Sequence, residues 1–260
     1  MDILHTIMSE RRADAAAARS EVPLEELQEL AAGRVHHGLR DVLESTEATC
    51  VVAEVKKASP SAGLLRPEYN PAGTAALFAA HGASGISVLS EPRHFLGSAQ
   101  HLRDVRDAVD LPVLRKDFIC DAYQVAETAA WGADVVLLIL AALSEEESDT
   151  LHAAAQEYGL DVLAEAHTAG EVERAVRLEK AVIGVNSRNL QTLETDLSVA
   201  EELAERIPAD CLSIAESGIK CRSDIESLEA LGYRGFLVGE ALMAAPDPGA
   251  KLDELRGLSS

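Results

Sequence analysis

Eight short runs rich in β-branched residues recur along this chain, and a longer amphipathic segment follows nearly every one. The runs are CVVAEV (50–55), GISVLS (85–90), PVLRKD (112–117), ADVVLLIL (133–140), DVLAEA (161–166), AVIGVN (181–186), CLSIAE (211–216) and GFLVG (235–239). Between them, segments such as NPAGTAALFAAHGA, DAYQVAETAAWGA, AGEVERAVRLE and SDIESLEALG carry apolar residues at helical spacing, and most finish near Gly or Pro. Strict alternation of strand and helix requires a parallel sheet with helical crossovers. Eight such units in about 210 residues close into an α/β fold of the (β/α)8 TIM barrel type more readily than they spread into an open sheet. No GxGxxG follows the first run, which argues against a dinucleotide-binding sheet. Residues 1–46 read as an N-terminal helical extension. Ile3, Leu4, Ile7 and Met8 form an apolar stripe, Pro23 opens a second helix, and Gly33 stops it. The expected organisation is one domain overall, with the extension at 1–46 and the barrel at 47–260.

Charge and composition narrow the partners. A net charge of −21, from 44 acidic against 23 basic residues, excludes an extended phosphate-backbone surface, so no nucleic acid is expected. The longest apolar run, 133–143, is too short for a bilayer span of about 18 residues. The first twenty residues lack a signal-peptide core, and a cytoplasmic protein with no membrane association is expected. Only six of the basic residues are lysines, and such an acidic, lysine-poor surface suits concentrated salt, so a halophilic origin is expected. Cys50, Cys120, Cys211 and Cys221 have no zinc-type spacing and read as free thiols. The eight histidines form no HExxH cluster, so neither a metal nor a cofactor is expected. His36 and His37 read as surface or capping residues. No large apolar patch is legible, and a monomer is the expectation.

In barrels of this kind chemistry sits at the C-terminal ends of the strands. Polar residues gather there: Glu54 and Lys56 on the first run, Lys116 on the third, Glu165 on the fifth, Asn186 and Arg188 on the sixth. The seventh ends in Glu216, Ser217 and Gly218, and the eighth in Leu237, Gly239 and Glu240. Side chains alternate faces along a strand, so Glu54 and Lys56 share a face, while Lys57 lies on the other. Three of the six lysines fall at strand ends, a placement that favours chemistry over solubility. The small residues after the seventh and eighth runs let backbone N–H groups approach an anion, and a phosphorylated small molecule is the expected substrate. Ser59, in SPS after the first run, is a further hydroxyl candidate. The Glu240 side chain is expected to point away from that anion. SEEESD (144–149) reads as a helix N-cap with acids on the positive end of the dipole.

AEVKKASPSAG, LSEPRHFLGS, LRKDFI, LAEAHT, IGVNSRNL, IAESGI and FLVGEALM occur in this order. Together they resemble the indole-3-glycerol phosphate synthase family, over nearly the whole chain. AEVKKASPS with LRKDF and VNSRNL is specific to it, whereas ESG and VGE recur in other phosphate barrels. The resemblance implies a cofactor-free carboxy-lyase of tryptophan biosynthesis. Its substrate is 1-(2-carboxyphenylamino)-1-deoxyribulose 5-phosphate, and its products are indole-3-glycerol phosphate, carbon dioxide and water. It further implies Lys116 as the acid at the C2′ carbonyl, Glu165 as acid–base and electrostatic partner, and Lys56 with Glu54 in dehydration. Asn186 and Arg188 would position the substrate, with Arg188 suited to a planar carboxylate. Ser217, Gly218 and Gly239 would cradle the phosphate with help from Ser59. Phe95, Phe118 and Leu137 would line the aromatic pocket. The division of acid–base work among Lys116, Lys56, Glu54 and Glu165 is left open. Other readings of the residues are a phosphoribosylanthranilate isomerase, a Schiff-base aldolase using Lys116, or an inactive barrel serving as a binding subunit. The last would show losses among the strand-end residues, and there are none.

Overall fold

The computed structural model describes residues 3–59, 63–64 and 69–258. Every one of the eight runs is a strand: β1 (Cys50–Val55), β2 (Gly85–Leu89), β3 (Val113–Lys116), β4 (Val135–Ile139), β5 (Asp161–Ala166), β6 (Val182–Asn186), β7 (Ser213–Glu216) and β8 (Gly235–Val238). All neighbours are parallel and in sequential order, and β8 pairs with β1 to close the barrel. Observed strands are shorter than some of the apolar runs because flanking residues turn toward the crossover helices. Among the described residues a small antiparallel pair, Ala58–Ser59 with Gly63–Leu64, follows β1. The Ser59 side chain and residues 60–62 lie outside the described residues, as does any closure of that loop over a ligand.

Two apolar layers hold the barrel. Outward residues such as Val51, Val55, Val88, Val136 and Ala164 pack beneath the helices. Inward residues Val52, Leu114, Leu137, Leu163, Ile214 and Leu237 fill the interior. Val52 therefore lies inside, sharing its face with Glu54. Toward the C-terminal end the same inward positions become Glu54, Lys116, Glu165, Asn186 and Glu216, so period-two alternation carries them onto the mouth. SEEESD does cap its helix: the Ser144 hydroxyl accepts from Glu147 N (3.2 Å), and Glu147 accepts from Ser144 N (2.8 Å).

The extension forms three helices, α1 (Ile3–Glu21), α2 (Leu24–Ala31) and α3 (Leu39–Ser45). Leu39 and Leu43 of α3 join the interior layer and seal its N-terminal end. Leu27 of α2 packs with Tyr123 and Ala126 on the helix Ala122–Ala130. α1 is joined to the barrel by charge. Arg11 donates from Nε to Asp117 Oδ1 (3.1 Å) and from Nη2 to Asp117 Oδ2 (2.7 Å). Arg115, fully buried, donates to the same carboxylate (2.9 Å) and stacks over Trp131 at 4.0 Å. Burial alone raises a carboxyl, but Arg115 and Arg11 prevail and hold Asp117 below the usual range.

Removing one partner of this buried network strands the other charges. Asp117→Ala is expected to cost about 3–5 kcal/mol, read as a lower urea midpoint. Because its folded pKa is depressed, the stabilisation from Asp117 is present above the unfolded carboxylate value and is lost as pH falls through the folded one. Acid unfolding of the variant should therefore lose part of the pH dependence of the native chain.

Candidate active site

The strand C-termini open into a cavity of about 640 Å³. Its lining includes Glu54, Lys56, Phe95, Lys116, Phe118, Leu137, Glu165, Asn186, Arg188, Glu216, Ser217, Gly218, Leu237, Gly239 and Glu240. Every described candidate from the sequence is thus brought to one site. Lys57, as its strand parity implies, is not among the lining residues.

The floor holds two ion-pair groups. Lys56 Nζ donates to Glu54 Oε1 at 2.6 Å. Lys116 Nζ donates to Glu165 Oε2 at 3.1 Å and to Glu216 Oε2 at 2.6 Å. Glu216, read from the sequence as a substrate-binding residue beside Ser217 and Gly218, is also the nearer carboxylate of Lys116. The signal was available, since Glu216 shares inward parity with Ile214 at the end of β7. His167 was missed altogether, although it shares parity with Glu165.

These neighbours set the charge states. Burial works against the Lys116 ammonium, but Glu165, Glu216 and Glu54 outweigh it and raise its pKa. Burial likewise opposes ionisation of Glu165 and of Glu54. Lys116 with His167 lowers the first, and Lys56 with Lys116 lowers the second. Glu216 goes the other way. Burial pushes it up, Lys116 pulls it back, and the charge on Glu165 adds to the rise, leaving it at about 7. Its Oε1 is buried without a hydrogen-bond partner among the described residues. Two carboxylates on one lysine therefore differ in ionisation, the pattern that separates an acid from a base.

Two glycines make room for this crowding. A Cβ on Gly184 would overlap Glu216 Oε1, and one on Gly239 would overlap Glu54 Oε1. Gly239 thus has a packing reason apart from any phosphate. Ser217 and Gly218 both take positive φ, 65° and 82°, so the chain turns sharply after β7 at a conformation unfavourable for serine. Arg188 donates to Glu240 Oε2 (3.1 Å) and to Leu193 O (2.7 Å), while its backbone N–H donates to Asn186 Oδ1 (3.0 Å). Glu240 is mostly exposed and pairs with Arg188 at the cavity rim.

The aromatic wall is positioned by the extension. Buried Glu91 accepts the backbone N–H groups of Arg93 (2.8 Å), His94 (2.6 Å) and Phe95 (2.9 Å). The same loop is held from α1 by Asp14 to Arg93 and by Glu10 to His94 (2.8 Å). Phe95 then lies 6.0 Å from Phe118, centroid to centroid. Ile3, Leu4 and Ile7 of α1 complete the apolar side of the cavity. No group of metal-ligating residues occurs among the described residues, and no described helix is long and apolar enough to cross a membrane.

A closed parallel barrel with buried, oppositely tuned acid–base groups at its strand C-termini belongs to the class of (β/α)8 enzymes. Residues 4–255 match the family model for indole-3-glycerol phosphate synthase. An indole-3-glycerol phosphate synthase of Burkholderia vietnamiensis is 44% identical over 254 residues, covering 96% of this chain and 97% of that one. The chain belongs to the indole-3-glycerol phosphate synthase family. In fold it resembles two solved tryptophan synthase alpha chains of Legionella pneumophila. Their TM-scores are 0.60 and 0.59 at 16% and 17% identity, each over 85% of this chain and 95% or 96% of the other.

Gly184→Ala is expected to displace the Glu216 carboxylate from Lys116 while leaving the barrel closed. Isotope-edited NMR of the glutamate carboxyl carbons should then show the titration near 7 moved, and an unchanged titration would mean that Gly184 gives Glu216 no needed space.

Proposed function

We propose that this chain converts 1-(2-carboxyphenylamino)-1-deoxyribulose 5-phosphate to indole-3-glycerol phosphate, carbon dioxide and water. The observation that carries the assignment of groups is Lys116, buried between Glu165 and Glu216 with its ammonium retained. In the first step the ring carbon bearing the carboxylate attacks the C2′ carbonyl, driven by the anilinic nitrogen. Lys116 gives its proton to the carbonyl oxygen as that C–C bond forms. Loss of carbon dioxide returns the electron pair to the ring and restores aromaticity. Glu216, protonated below about 7, then resupplies the Lys116 amine. Dehydration needs a proton on the departing C2′ hydroxyl and a base for a C1′ proton. Lys56 and Glu54, 2.6 Å apart, form a matched acid and base for it.

The remaining residues bind. Ser217, Gly218 and Gly239 hold the phosphate. Arg188, which pairs with Glu240 next to Gly239, offers its guanidinium to the ring carboxylate. Asn186 holds a substrate hydroxyl, while Phe95, Phe118 and Leu137 enclose the ring. The state of Lys116 disfavours a Schiff-base aldolase, since imine formation needs a neutral amine and the Glu165 carboxylate, with Glu54 at longer range, keeps this one charged. Cytoplasmic location, a monomer and salt adaptation are parts of the same proposal.

Adding the carboxyphenylamino-deoxyribulose phosphate should generate indole fluorescence, and folded protein giving none across a range of salt would refute the activity. Lys116→Ala is expected to lower kcat by about 10²–10⁴-fold with the fold intact. The working state has Glu216 protonated, so kcat should fall as pH rises through about 7, and Glu216→Gln should abolish that limb.

A further inference from the structure

His167 follows β5 and lies on the same face as Glu165, yet the chemistry above gives it no task. Its ring is largely buried, with Nε2 at 3.5 Å from Glu165 Oε1 and Nδ1 at 3.6 Å from Glu171 Oε2, ion-pair contacts rather than hydrogen bonds, so that both nitrogens are unpartnered among the described residues. Glu171 belongs to the helix Ala169–Arg177 and also accepts the His167 backbone N–H at 2.7 Å, which fixes the carboxylate beside the ring. Lys116 holds the other oxygen of Glu165, Oε2. Each oxygen of Glu165 therefore faces its own nitrogen group, whereas Glu216 has Lys116 alone and a bare Oε1. The charged groups acting on the imidazole are Glu165 from its own strand end, Glu171 from the following helix and, at longer range, Glu216 from β7.

We propose that His167 is the positioning residue that divides labour between the two carboxylates of Lys116. Held by Glu171, its imidazolium keeps Glu165 anionic and leaves Glu216 as the carboxyl that carries a proton. The charge balance agrees. Burial disfavours an imidazolium here, yet Glu171 and Glu165 overcome it and raise His167. A single carboxylate facing two cations stays ionised, and the next excess negative charge of the cluster is then neutralised at the least-supported position, which is Glu216. This rests on the proposed reaction for its kinetic consequence but not for its titration.

The test is His167→Gln, with Glu171→Gln as a variant that keeps the ring and removes its support. Carboxyl NMR of the unliganded protein is expected to show Glu165 titrating about one pH unit higher in His167→Gln, with a smaller rise in the same direction in Glu171→Gln. In turnover Glu165 acts as the ionised acid–base partner, so kcat should fall at low pH as it is protonated, and that acidic limb should move up by the same amount while KM changes less than about twofold. His167→Lys, which restores a cation, should return the limb toward its native position. An unmoved Glu165 titration in folded Glu171→Gln and His167→Gln overturns the proposal, even if stability falls. Wild-type protein that titrates as expected but gives no indole would instead count against the reaction and leave the positioning role standing.

Discussion

A lysine ammonium buried between two carboxylates is the constraint around which this mouth is built. Three carboxylates, Glu54, Glu165 and Glu216, surround Lys116 electrostatically, and only Lys56 adds a second ammonium within the same group. Away from water, burial raises the carboxyl with the least support among them, Glu216, to about 7. The support is unequal: Glu54 has Lys56, Glu165 has Lys116 and His167, and Glu216 has what remains. The glycines at 184 and 239 follow from the same requirement, since any side chain there would occupy the space of a carboxylate.

The segment Arg115–Lys116–Asp117 shows how one strand serves two sides of the barrel wall. Lys116 points inward to the cavity, while Arg115 and Asp117 point outward into a buried pair closed by Arg11 of α1. The outer pair gives Lys116 a rigid mounting without competing for its charge. The same helix fixes the loop of Phe95 through Asp14 and Glu10. The extension therefore joins the two segments that carry the lysine and the aromatic wall.

The barrel was legible because its signal is repetitive: eight apolar runs, eight strands, in sequential order. The strand-end residues were legible because parity and position coincide there. What could not be read were contacts between residues far apart in sequence. Lys116 meets Glu216 across 100 positions, and Arg11 meets Asp117 across 106, so no local spacing reports either pair. Glu216 was recognised as a strand-end residue but assigned to binding, because the neighbouring Ser217 and Gly218 suggested a phosphate turn. The contact of Arg188 with Glu240, 52 positions away, is likewise invisible to local spacing. The Ala166 that separates Glu165 from His167 made the pair look accidental, although a strand end brings such residues onto one side.

Overall charge and local charge oppose one another in this molecule. A chain of net charge −21 repels a phosphorylated, carboxylated substrate at long range, whereas the cavity lining sets Lys56, Lys116, Arg188, Lys220 and Lys251 against Glu54, Asp117, Glu165, Glu216 and Glu240. The two effects respond differently to salt. Surface repulsion acts through solvent and is screened over about 8 Å at physiological ionic strength and about 3 Å at 1 M. The pairs of the floor lie within 2.6 to 3.1 Å in a desolvated site, where buried pairs are screened much less than surface charges. Added salt thus removes the barrier to approach before it weakens the paired groups of the floor. Four of the six lysines, Lys56, Lys116, Lys220 and Lys251, line the mouth, where a fixed cation is effective at short range and a surface lysine would be screened.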